Sequence, residues 1–266
     1  MGGLPIIIVG AGYVGRRVVS ELHDPATIVL GRSTSLDLDV DSSLPVTLPD
    51  AYHVLYTVPP SPAHADDPRL ARLLSLLDRV PQRFIYISTT GVYGDCGGAI
   101  VNEESNIQPL TERAKRRVAA ETLLQSWARE RTVHHKILRT PGIYGPGRLG
   151  LERLQKMRPL INEAEANPGN RIHVDDLVEC CITALRGDAP AGIYNIGDGD
   201  HRSPTWFSKE VAKQAGLSAP PEVGRETQSE SRRVATQHMR EILGVTPRYA
   251  NAEDGIRASL KIVKKT

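Results

Sequence analysis

The chain contains 266 residues, 40% of them hydrophobic and 24% charged, and carries a formal net charge of +2. This is the composition of a globular protein, and a charge so close to zero gives no reason to expect nucleic acid or an anionic membrane as a partner. Apolar runs stay well short of the roughly 18 residues that a membrane span needs. Three cysteines without a metal-ligand spacing predict neither a disulfide framework nor a metal site, and they favour a reducing, cytoplasmic location.

Short β-branched segments alternate with longer amphipathic segments over roughly the first 200 residues. This alternation predicts βαβ units and therefore an α/β fold, a Rossmann-type doubly wound parallel sheet. Strands are predicted at Pro5–Val9, Thr27–Leu30, Tyr52–Val58, Arg83–Ser88, His134–Leu138 and Gly192–Ile196, with a short third strand around Leu36–Val40. Helices are predicted at Gly12–Leu22, Pro68–Val80, Thr111–Arg131, Val174–Arg186, Thr205–Gln214, Val234–Leu243 and Ala252–Val263.

A glycine motif follows the first predicted strand. The segment IIIVGAGYVGRRV has Gly10, Gly12 and Gly15 in GxGxxG spacing at the start of the first predicted helix. The first glycine permits a tight turn, the second lets the backbone approach a pyrophosphate, and the third lets the helix pack on the strand. The amide groups of Tyr13 and Val14 would then face the phosphates. The motif predicts a dinucleotide site, and a glycine-rich turn without a ligand is the alternative.

The end of the second predicted strand indicates which dinucleotide to expect. An NAD site has Asp or Glu there, roughly 20 residues after the glycines, to bind the ribose 2′-hydroxyl. This chain has Gly31, Arg32 and Ser33 at that point. Arginine and serine can bind a 2′-phosphate by charge-assisted hydrogen bonds, which a carboxylate cannot. We therefore expect NADP(H) in preference to NAD, unless Arg32 is an ordinary surface residue.

The pattern loosens after Tyr144, where loop-rich segments such as GPGRLG and NEAEANPGN appear. Residues 1–145 are therefore expected to form an NAD(P)-binding core, completed by a later strand near residues 192–197. Residues 146–266 are expected to form mainly a smaller C-terminal lobe that covers the ligand edge of the sheet and binds substrate.

Three further motifs appear in a fixed order after the glycine turn. They are STTGVYG at Ser88–Gly94, LRTPGIYGPG at Leu138–Gly147 and NRIHVDDL at Asn170–Leu177. Together they resemble the extended short-chain dehydrogenases/reductases of the NAD(P)-dependent epimerase/dehydratase type.

This resemblance implies a set of site residues. Thr89, with Ser88 beside it, takes the place of the residue that hydrogen-bonds the reacting oxygen of the substrate. The loop after the fourth strand, with Val58 and Pro59, takes the place of a cofactor-binding loop. Pro141 takes the place of a residue beside the nicotinamide.

The family's proton donor is a tyrosine, and a lysine four residues later lowers its pKa and holds the nicotinamide ribose. In LTERAKRRVAAE these two places are taken by Arg113 and Arg117, which a spacing of four puts on one helix face. Arg117 keeps a positive charge and donors for the ribose. An arginine guanidinium stays protonated at neutral pH, so Arg113 is neither acid nor base. It could hold a substrate carboxylate or phosphate, or it could belong to a solvated helix face.

Other side chains are candidates for the missing proton donor or for substrate binding. Tyr93 comes first because the tyrosine of VYG lines the substrate pocket in the family, and Tyr144 and His173 follow. Each of the three could instead be a buried residue with a structural hydrogen bond. Arg148, in the loop that enters the smaller lobe, is a candidate anion clamp for the substrate.

The missing tyrosine–lysine pair, together with YTVPPS at Tyr56–Ser61, resembles the atypical branch of these dehydrogenases. The resulting hypothesis is an NADP(H)-dependent oxidoreductase that transfers hydride to or from a small polar or carboxylated metabolite without the usual relay. A nucleotide-sugar epimerase or dehydratase is one alternative, and a non-catalytic NADP(H) sensor is another. Extended members of the fold commonly pair through helices flanking the sheet, so the resemblance implies a homodimer.

Overall fold

The computed structural model describes residues 3–32, 36–40, 43–226 and 230–263. The strands are β1 (Ile6–Val9), β2 (Ile28–Leu30), β3 (His53–Tyr56), β4 (Arg83–Thr89), β5 (Ile100–Val101), β6 (His134–Thr140), β7 (Gly142–Tyr144), β8 (Leu160–Ile161), β9 (Arg171–His173), β10 (Gly192–Asn195), β11 (Glu222–Val223) and β12 (Arg233–Val234). The helices are α1 (Tyr13–Leu22), α2 (Pro68–Leu76), α3 (Glu112–Arg131), α4 (Leu151–Gln155), α5 (Val174–Arg186), α6 (Pro204–Ala215), α7 (Gln237–Glu241) and α8 (Ala252–Val263).

Six parallel strands form the central sheet in the order β10-β6-β4-β3-β1-β2. The continuous apolar run of β1 is buried at all four positions because helices cover both faces of the sheet. In the register, Val9 pairs with Tyr56, and Tyr56 pairs with Tyr86. The carboxyl ends of β1, β3 and β4 therefore meet along one edge, where ligands bind in open α/β sheets. The predicted Rossmann-type sheet is confirmed.

Two apolar clusters bind helices to the opposite faces of the sheet. Val18 of α1 and Leu177 of α5 belong to one cluster, and Leu73 of α2 and Leu124 of α3 belong to the other. A third cluster joins α4, α6 and α8 beyond the sheet, with residues such as Ile256 at its centre. Within the part of the chain that the structure describes, no helix is both long and apolar enough to cross a membrane.

The predicted third strand around Leu36–Val40 is wrong, because residues 36–40 pair with no strand. The start of α2 holds this segment instead. Arg69 binds the carboxylate of Asp39 through two hydrogen bonds of 2.6 Å, and Arg72 donates to the carbonyl of Leu38 at 2.5 Å. Side-chain donors thus replace the neighbouring strand.

The predicted helix at Val234–Leu243 is also shorter than expected. Its first residue belongs to β12, which pairs in parallel with β5, and the helix itself spans Gln237–Glu241. Two-residue strands such as these are too short to produce a period-2 pattern, so the sequence gives no sign of them.

The amino edge of the sheet contains a buried imidazole, that of His53. Burial is the main cause that lowers the pKa of His53 to about 4, and the positive charges of Arg83 and Lys136 add to it. The imidazole therefore stays neutral in the folded protein across a pH range in which an unfolded histidine takes up a proton.

We expect the protein to lose stability as the pH falls from about 6.5 to about 4. In this window the unfolded state binds the His53 proton and the folded state does not, so unfolding becomes more favourable. Thermal unfolding at pH 7.0, 5.5 and 4.5 measures this loss. Replacing the imidazole, as in His53→Leu, should flatten the dependence, whereas the exposed control His64→Gln should leave it unchanged. Equal slopes in wild type and His53→Leu would refute the assignment.

Candidate active site

The glycine turn has the close packing that its spacing predicts. Gly10 has φ +110°, a conformation that L side chains rarely adopt, and a Cβ there would overlap Thr57 Oγ1. A Cβ on Gly15 would overlap the carbonyl oxygen of Gly10. Both glycines are therefore required to bring α1 against the end of β1.

The start of α1 is open to a ligand. Gly12 takes the N-cap position of the helix, and no side chain caps the helix there. A Cβ on Gly12 would meet no protein atom within 4 Å. The first amide groups of a helix lack partners within it, and here the space in front of them is free. The turn thus fits a pyrophosphate, because phosphate oxygens accept from such amides and favour the positive end of the helix dipole.

A cavity of about 320 Å³ extends from this turn, and we call it the cofactor cavity. It is lined by Val9, Gly10, Ala11, Gly12, Gly31, Arg32, Leu36, Asp37, Leu38, Asp39, Thr57, Val58, Pro59 and Arg69. The predicted residues Arg32, Val58 and Pro59 therefore lie together with the glycine turn. Arg32 is exposed and forms no ion pair with any described residue, and Ser33 lies outside the described residues.

Sequence reasoning missed Asp37, Asp39 and Arg69 in the cofactor cavity. The hydrogen bonds from Arg69 are the main cause that lowers the pKa of Asp39, and Arg69 also donates to the carbonyl of Pro59 at 3.0 Å. This arginine thereby ties the loop after β2 to the loop after β3. The run LDLD is a possible sequence signal for the loop, but the pairing with Arg69 spans 30 residues.

Tyr13 and Val14 do not line the cofactor cavity with their side chains. Val14 is buried, and the Tyr13 hydroxyl donates to the carbonyl of Pro146 at 3.0 Å. The guanidinium carbons of Arg17 and Arg148 each lie 3.9 Å from the centre of the Tyr13 ring. Arg148 is thus engaged in a cation–π contact and does not line the second cavity described next.

The second cavity has a volume of about 480 Å³, and we call it the substrate cavity. It lies past the carboxyl ends of β4 and β6, and β4 is the hydrogen-bonded neighbour of β3. The two cavities therefore open along the same edge of the sheet. The substrate cavity is lined by Thr89, Thr90, Gly91, Thr111, Arg113, Ala114, Pro141, Gly142, Pro168, Gly169, Asn170, Pro204, Glu230 and Arg232. Three predicted residues, Thr89, Arg113 and Pro141, come together here.

Two threonine hydroxyls of the substrate cavity keep a hydrogen to donate. Thr89 Oγ1 accepts from the amide of Gly91 at 3.2 Å, and Thr111 Oγ1 accepts from the amide of Ala114 at 3.2 Å. Each hydroxyl acts as the cap of a helical turn, which fixes the oxygen. Because a hydroxyl has one hydrogen and two lone pairs, both remain able to donate to an oxygen atom of a ligand.

Arg113 is the charged group of the substrate cavity without a partner of opposite charge among the described residues. It is exposed at the start of α3, whereas its neighbour Lys115 forms an ion pair of 2.7 Å with Glu112. An unpaired guanidinium in a cavity favours an anionic ligand, because its five donors match a carboxylate or phosphate.

Arg117 does not share the position of Arg113. It is buried and donates to Tyr86 Oη at 2.9 Å and to the carbonyl of Ile87 at 2.7 Å, and it lines neither cavity. The expectation that Arg117 presents donors to a ribose is therefore corrected: its donors are used beneath β4. The reason is that α3 lies along the sheet. Arg113 lies at the exposed start of this helix, whereas Arg117, about one turn later, lies where the helix packs against the sheet.

Tyr93 and Ser88 belong to a buried polar network and not to the substrate cavity. Tyr93 Oη donates to Asn195 Oδ1 at 2.7 Å and accepts from Arg139 at 2.9 Å, and Ser88 Oγ donates to Glu121 at 2.5 Å. Burial raises the pKa of the Tyr93 hydroxyl. This placement corrects the expectation that Tyr93 acts at the substrate, since a fully enclosed hydroxyl with two fixed partners has no access to it.

The weaker candidates Tyr144 and His173 are buried as well. Their rings pack edge to face with centroids 5.1 Å apart, and His173 Nε2 lies 3.0 Å from Ser259 Oγ. Neither lines the substrate cavity. Both therefore take structural positions, and among the described residues no cluster of His, Cys, Asp and Glu could hold a metal.

Comparisons with known proteins show similarity in sequence and in fold. Residues 70–197 match the NAD dependent epimerase/dehydratase family. Human dTDP-D-glucose 4,6-dehydratase is 30% identical over 138 residues, which make up 49% of this chain and only 39% of the human protein. Protein YeeZ of Escherichia coli K12 is 28% identical over 244 residues, or 81% of this chain and 85% of YeeZ.

Among solved structures, a functionally unknown conserved protein from Silicibacter pomeroyi is similar along the whole fold. It has a TM-score of 0.80 and 27% identity, and the match covers 98% of this chain and 99% of that one. The fold and the paired cavities define a nucleotide-binding protein of the Rossmann type. The similarity to the NAD dependent epimerase/dehydratase family covers residues 70–197, just under half of the chain.

Proposed function

We propose that the protein is an NADP(H)-dependent oxidoreductase that acts on a small anionic metabolite held in the substrate cavity. The observation that carries this proposal is the pair of cavities on one sheet edge. One has an open glycine turn, and the other has an unpaired arginine beside two threonine hydroxyls. The family is composed mostly of NAD(P)-dependent enzymes, which supports a redox function without defining the substrate.

The residues that would hold the cofactor are those of the cofactor cavity. Gly10, Gly12 and the start of α1 would bind the pyrophosphate, and Arg32 would pair with a ribose 2′-phosphate. Val58 and Pro59 would contact the cofactor from the loop after β3. When bound, a nicotinamide cofactor supplies or accepts hydride.

The protein's own groups at the substrate suit a reaction that needs little acid. The Thr89 hydroxyl would donate to the reacting oxygen, and the positive charge of Arg113 would stabilise negative charge on the substrate. Neither group is a strong proton donor at neutral pH. Such a site favours substrates whose reacting group is already polarised or positively charged.

A labelled-hydride experiment tests the proposed function. The protein is incubated with 4-deuterated NADPH and small-molecule extracts, and mass spectrometry follows deuterium into metabolites. We expect label in at least one small anionic metabolite, and less label with Thr89→Val, which keeps the side-chain volume but removes the donor. No transfer across varied extracts would overturn the proposal.

Cofactor preference has its own test. We expect Arg32→Asp to weaken NADPH binding by about 10- to 100-fold, because one charge-assisted pair contributes roughly 1.5–3 kcal/mol, and to leave NADH binding equal or improved. Fluorescence titration of both nucleotides measures this. The matched control is Arg158→Asp, an exposed arginine that does not line the cofactor cavity. Equal losses for both nucleotides would argue against a 2′-phosphate contact.

The match to a dTDP-D-glucose dehydratase supports a second candidate, a nucleotide-sugar epimerase or dehydratase. Those reactions remove hydride from a hydroxyl-bearing carbon and need a base where Arg113 stands. Titration with dTDP-glucose and UDP-glucose would decide, since this candidate predicts binding and the leading one does not. A non-catalytic NADP(H) sensor is the third candidate, and it predicts a large difference in affinity between NADPH and NADP⁺ without any deuterium transfer.

A further inference from the structure

Residues 230–234 form one wall of the substrate cavity, and we call this segment the strap. Two asparagines outside it fix its backbone. Asn167 Nδ2 donates to the carbonyl of Glu230 at 3.1 Å, and Asn170 Nδ2 donates to the carbonyl of Arg232 at 2.9 Å. The amide of Val234 donates in return to Asn170 Oδ1 at 2.8 Å. The strap is therefore a built wall whose side chains have defined positions.

The strap brings one carboxylate and one guanidinium to the substrate cavity. Arg232 and Glu230 form an ion pair of 2.8 Å through Glu230 Oε2, and Arg232 also donates to the carbonyl of Gly94 at 2.5 Å. Glu230 Oε1 is buried without a hydrogen-bond partner. An unsatisfied carboxylate oxygen at a cavity wall is costly unless a ligand or water donates to it.

The third charged group of the cavity is Arg113, which comes from α3 and has no ionic partner among the described residues. Arg232 is already neutralised by Glu230, but Arg232 Nε is also buried without a hydrogen-bond partner. The unmet requirements of the cavity are therefore an anion for Arg113, a donor for Glu230 Oε1 and an acceptor for Arg232 Nε. A simple anion would satisfy Arg113 and leave Glu230 Oε1 unpaired. A simple cation would satisfy Glu230 Oε1 and leave Arg113 unpaired.

We propose that the substrate cavity binds a small amphoteric ligand, with a carboxylate at Arg113 and a protonated or positively charged nitrogen at Glu230. The part of this inference that concerns a reaction rests on the proposed function. It also accounts for the missing tyrosine. When an iminium carbon takes hydride from a reduced nicotinamide, the electron pair of the C=N bond becomes the nitrogen lone pair, and no proton has to be supplied.

The test uses six probes without any nicotinamide. L-proline and L-pipecolate carry both groups, cyclopentanecarboxylate and cyclohexanecarboxylate lack the nitrogen, and the two amides of the amino acids lack the carboxylate. Ligand-detected NMR titrations give their affinities. We expect at least one amphoteric probe to bind 10-fold or more tightly than both of its single-charge analogues.

Matched variants assign the two charges. Arg113→Gln should weaken the amphoteric probes and the plain carboxylates to a similar extent, by about 10-fold. Glu230→Gln should weaken only the nitrogen-containing probes. Lys115→Gln, which changes an exposed charge on the same helix outside the cavity, should change none. Unchanged melting temperatures will show that the variants are folded.

Equal binding of amphoteric and single-charge probes, or binding of none, would overturn the inference. It would fall equally if Glu230→Gln affected all probes alike. These results are distinct from failure of the proposed function. Deuterium transfer to a neutral or purely anionic carbonyl compound would keep the oxidoreductase and remove the amphoteric ligand.

Discussion

Glu121→Gln is expected to lower the free energy of unfolding by about 3–5 kcal/mol, the usual cost of removing one partner of a buried ion pair. Glu121 on α3 and Arg139 on β6 are 3% and 1% exposed. Arg139 donates to both carboxylate oxygens, with the shortest distance 2.7 Å. The substitution leaves the Arg139 guanidinium buried without a negatively charged partner, and the surrounding strands keep water away from it.

The same pair supports the candidate site. Ser88, which donates to Glu121, directly precedes Thr89, and Arg139 lies two residues before Pro141. The network therefore fixes the two strand ends that line the substrate cavity. We expect Glu121→Gln to weaken ligand binding as well as stability, although Glu121 touches no ligand.

Urea unfolding followed by circular dichroism measures the effect. Glu112→Gln is the matched control, because it removes a carboxylate from the same helix but from an exposed pair with Lys115, and solvent-exposed pairs contribute little to stability. The double variant Glu121→Leu with Arg139→Met should be more stable than the single variant, since it leaves no unpaired charge. A loss below about 1 kcal/mol for Glu121→Gln would refute the buried-pair account.

Most of the central sheet could be predicted from local patterns. The runs IIIV and HVLY are apolar without alternation, as strands covered on both faces must be, and they form β1 and β3. The helix at Val174–Arg186 has the predicted bounds. Such elements can be predicted from the local pattern of apolar residues alone, because the layer in which an element lies decides which of its residues are buried.

The roles of Tyr93 and Arg117 could not be predicted in the same way. Their partners lie far along the chain: Asn195 is 102 residues from Tyr93, and Tyr86 is 31 residues from Arg117. The family resemblance gave each a place near the ligand, but only the fold shows whether a side chain faces the cavity or the core. Arg113 was the reverse case, since it is exposed and lines the substrate cavity while its ligand stays a proposal.

The strap could not be predicted from the sequence for a related reason. Its residues ESRRV show neither a strand nor a helix period, and asparagine side chains more than 60 residues away fix its backbone. A carboxylate in such a segment resembles an ordinary surface charge in the sequence. Its relevance comes from the cavity that it lines.

The glycine turn allows a sharp separation of folding from binding. We expect Gly15→Ala to lower both stability and NADPH affinity, because its Cβ would overlap the carbonyl oxygen of Gly10 and force the turn and α1 apart. Overpacking of this kind costs typically about 1–3 kcal/mol. We expect Gly12→Ala to leave the melting temperature nearly unchanged and to weaken NADPH binding by about 10-fold or more. Its Cβ meets no protein atom within 4 Å at φ −86°, so a methyl group would fill only the space that a pyrophosphate needs.

Thermal unfolding and NADPH titration of the two variants, with Gly3→Ala as control, complete the comparison. Gly3 also has no protein atom within 4 Å of a Cβ, but it lies outside the turn, so its replacement should change neither quantity. If Gly12→Ala bound NADPH as tightly as wild type, the pyrophosphate could not lie against this turn, and the cofactor site would have to be abandoned. If Gly12→Ala instead lowered the melting temperature as much as Gly15→Ala, the second glycine would be required for packing. The start of α1 would then no longer be supported as a phosphate site.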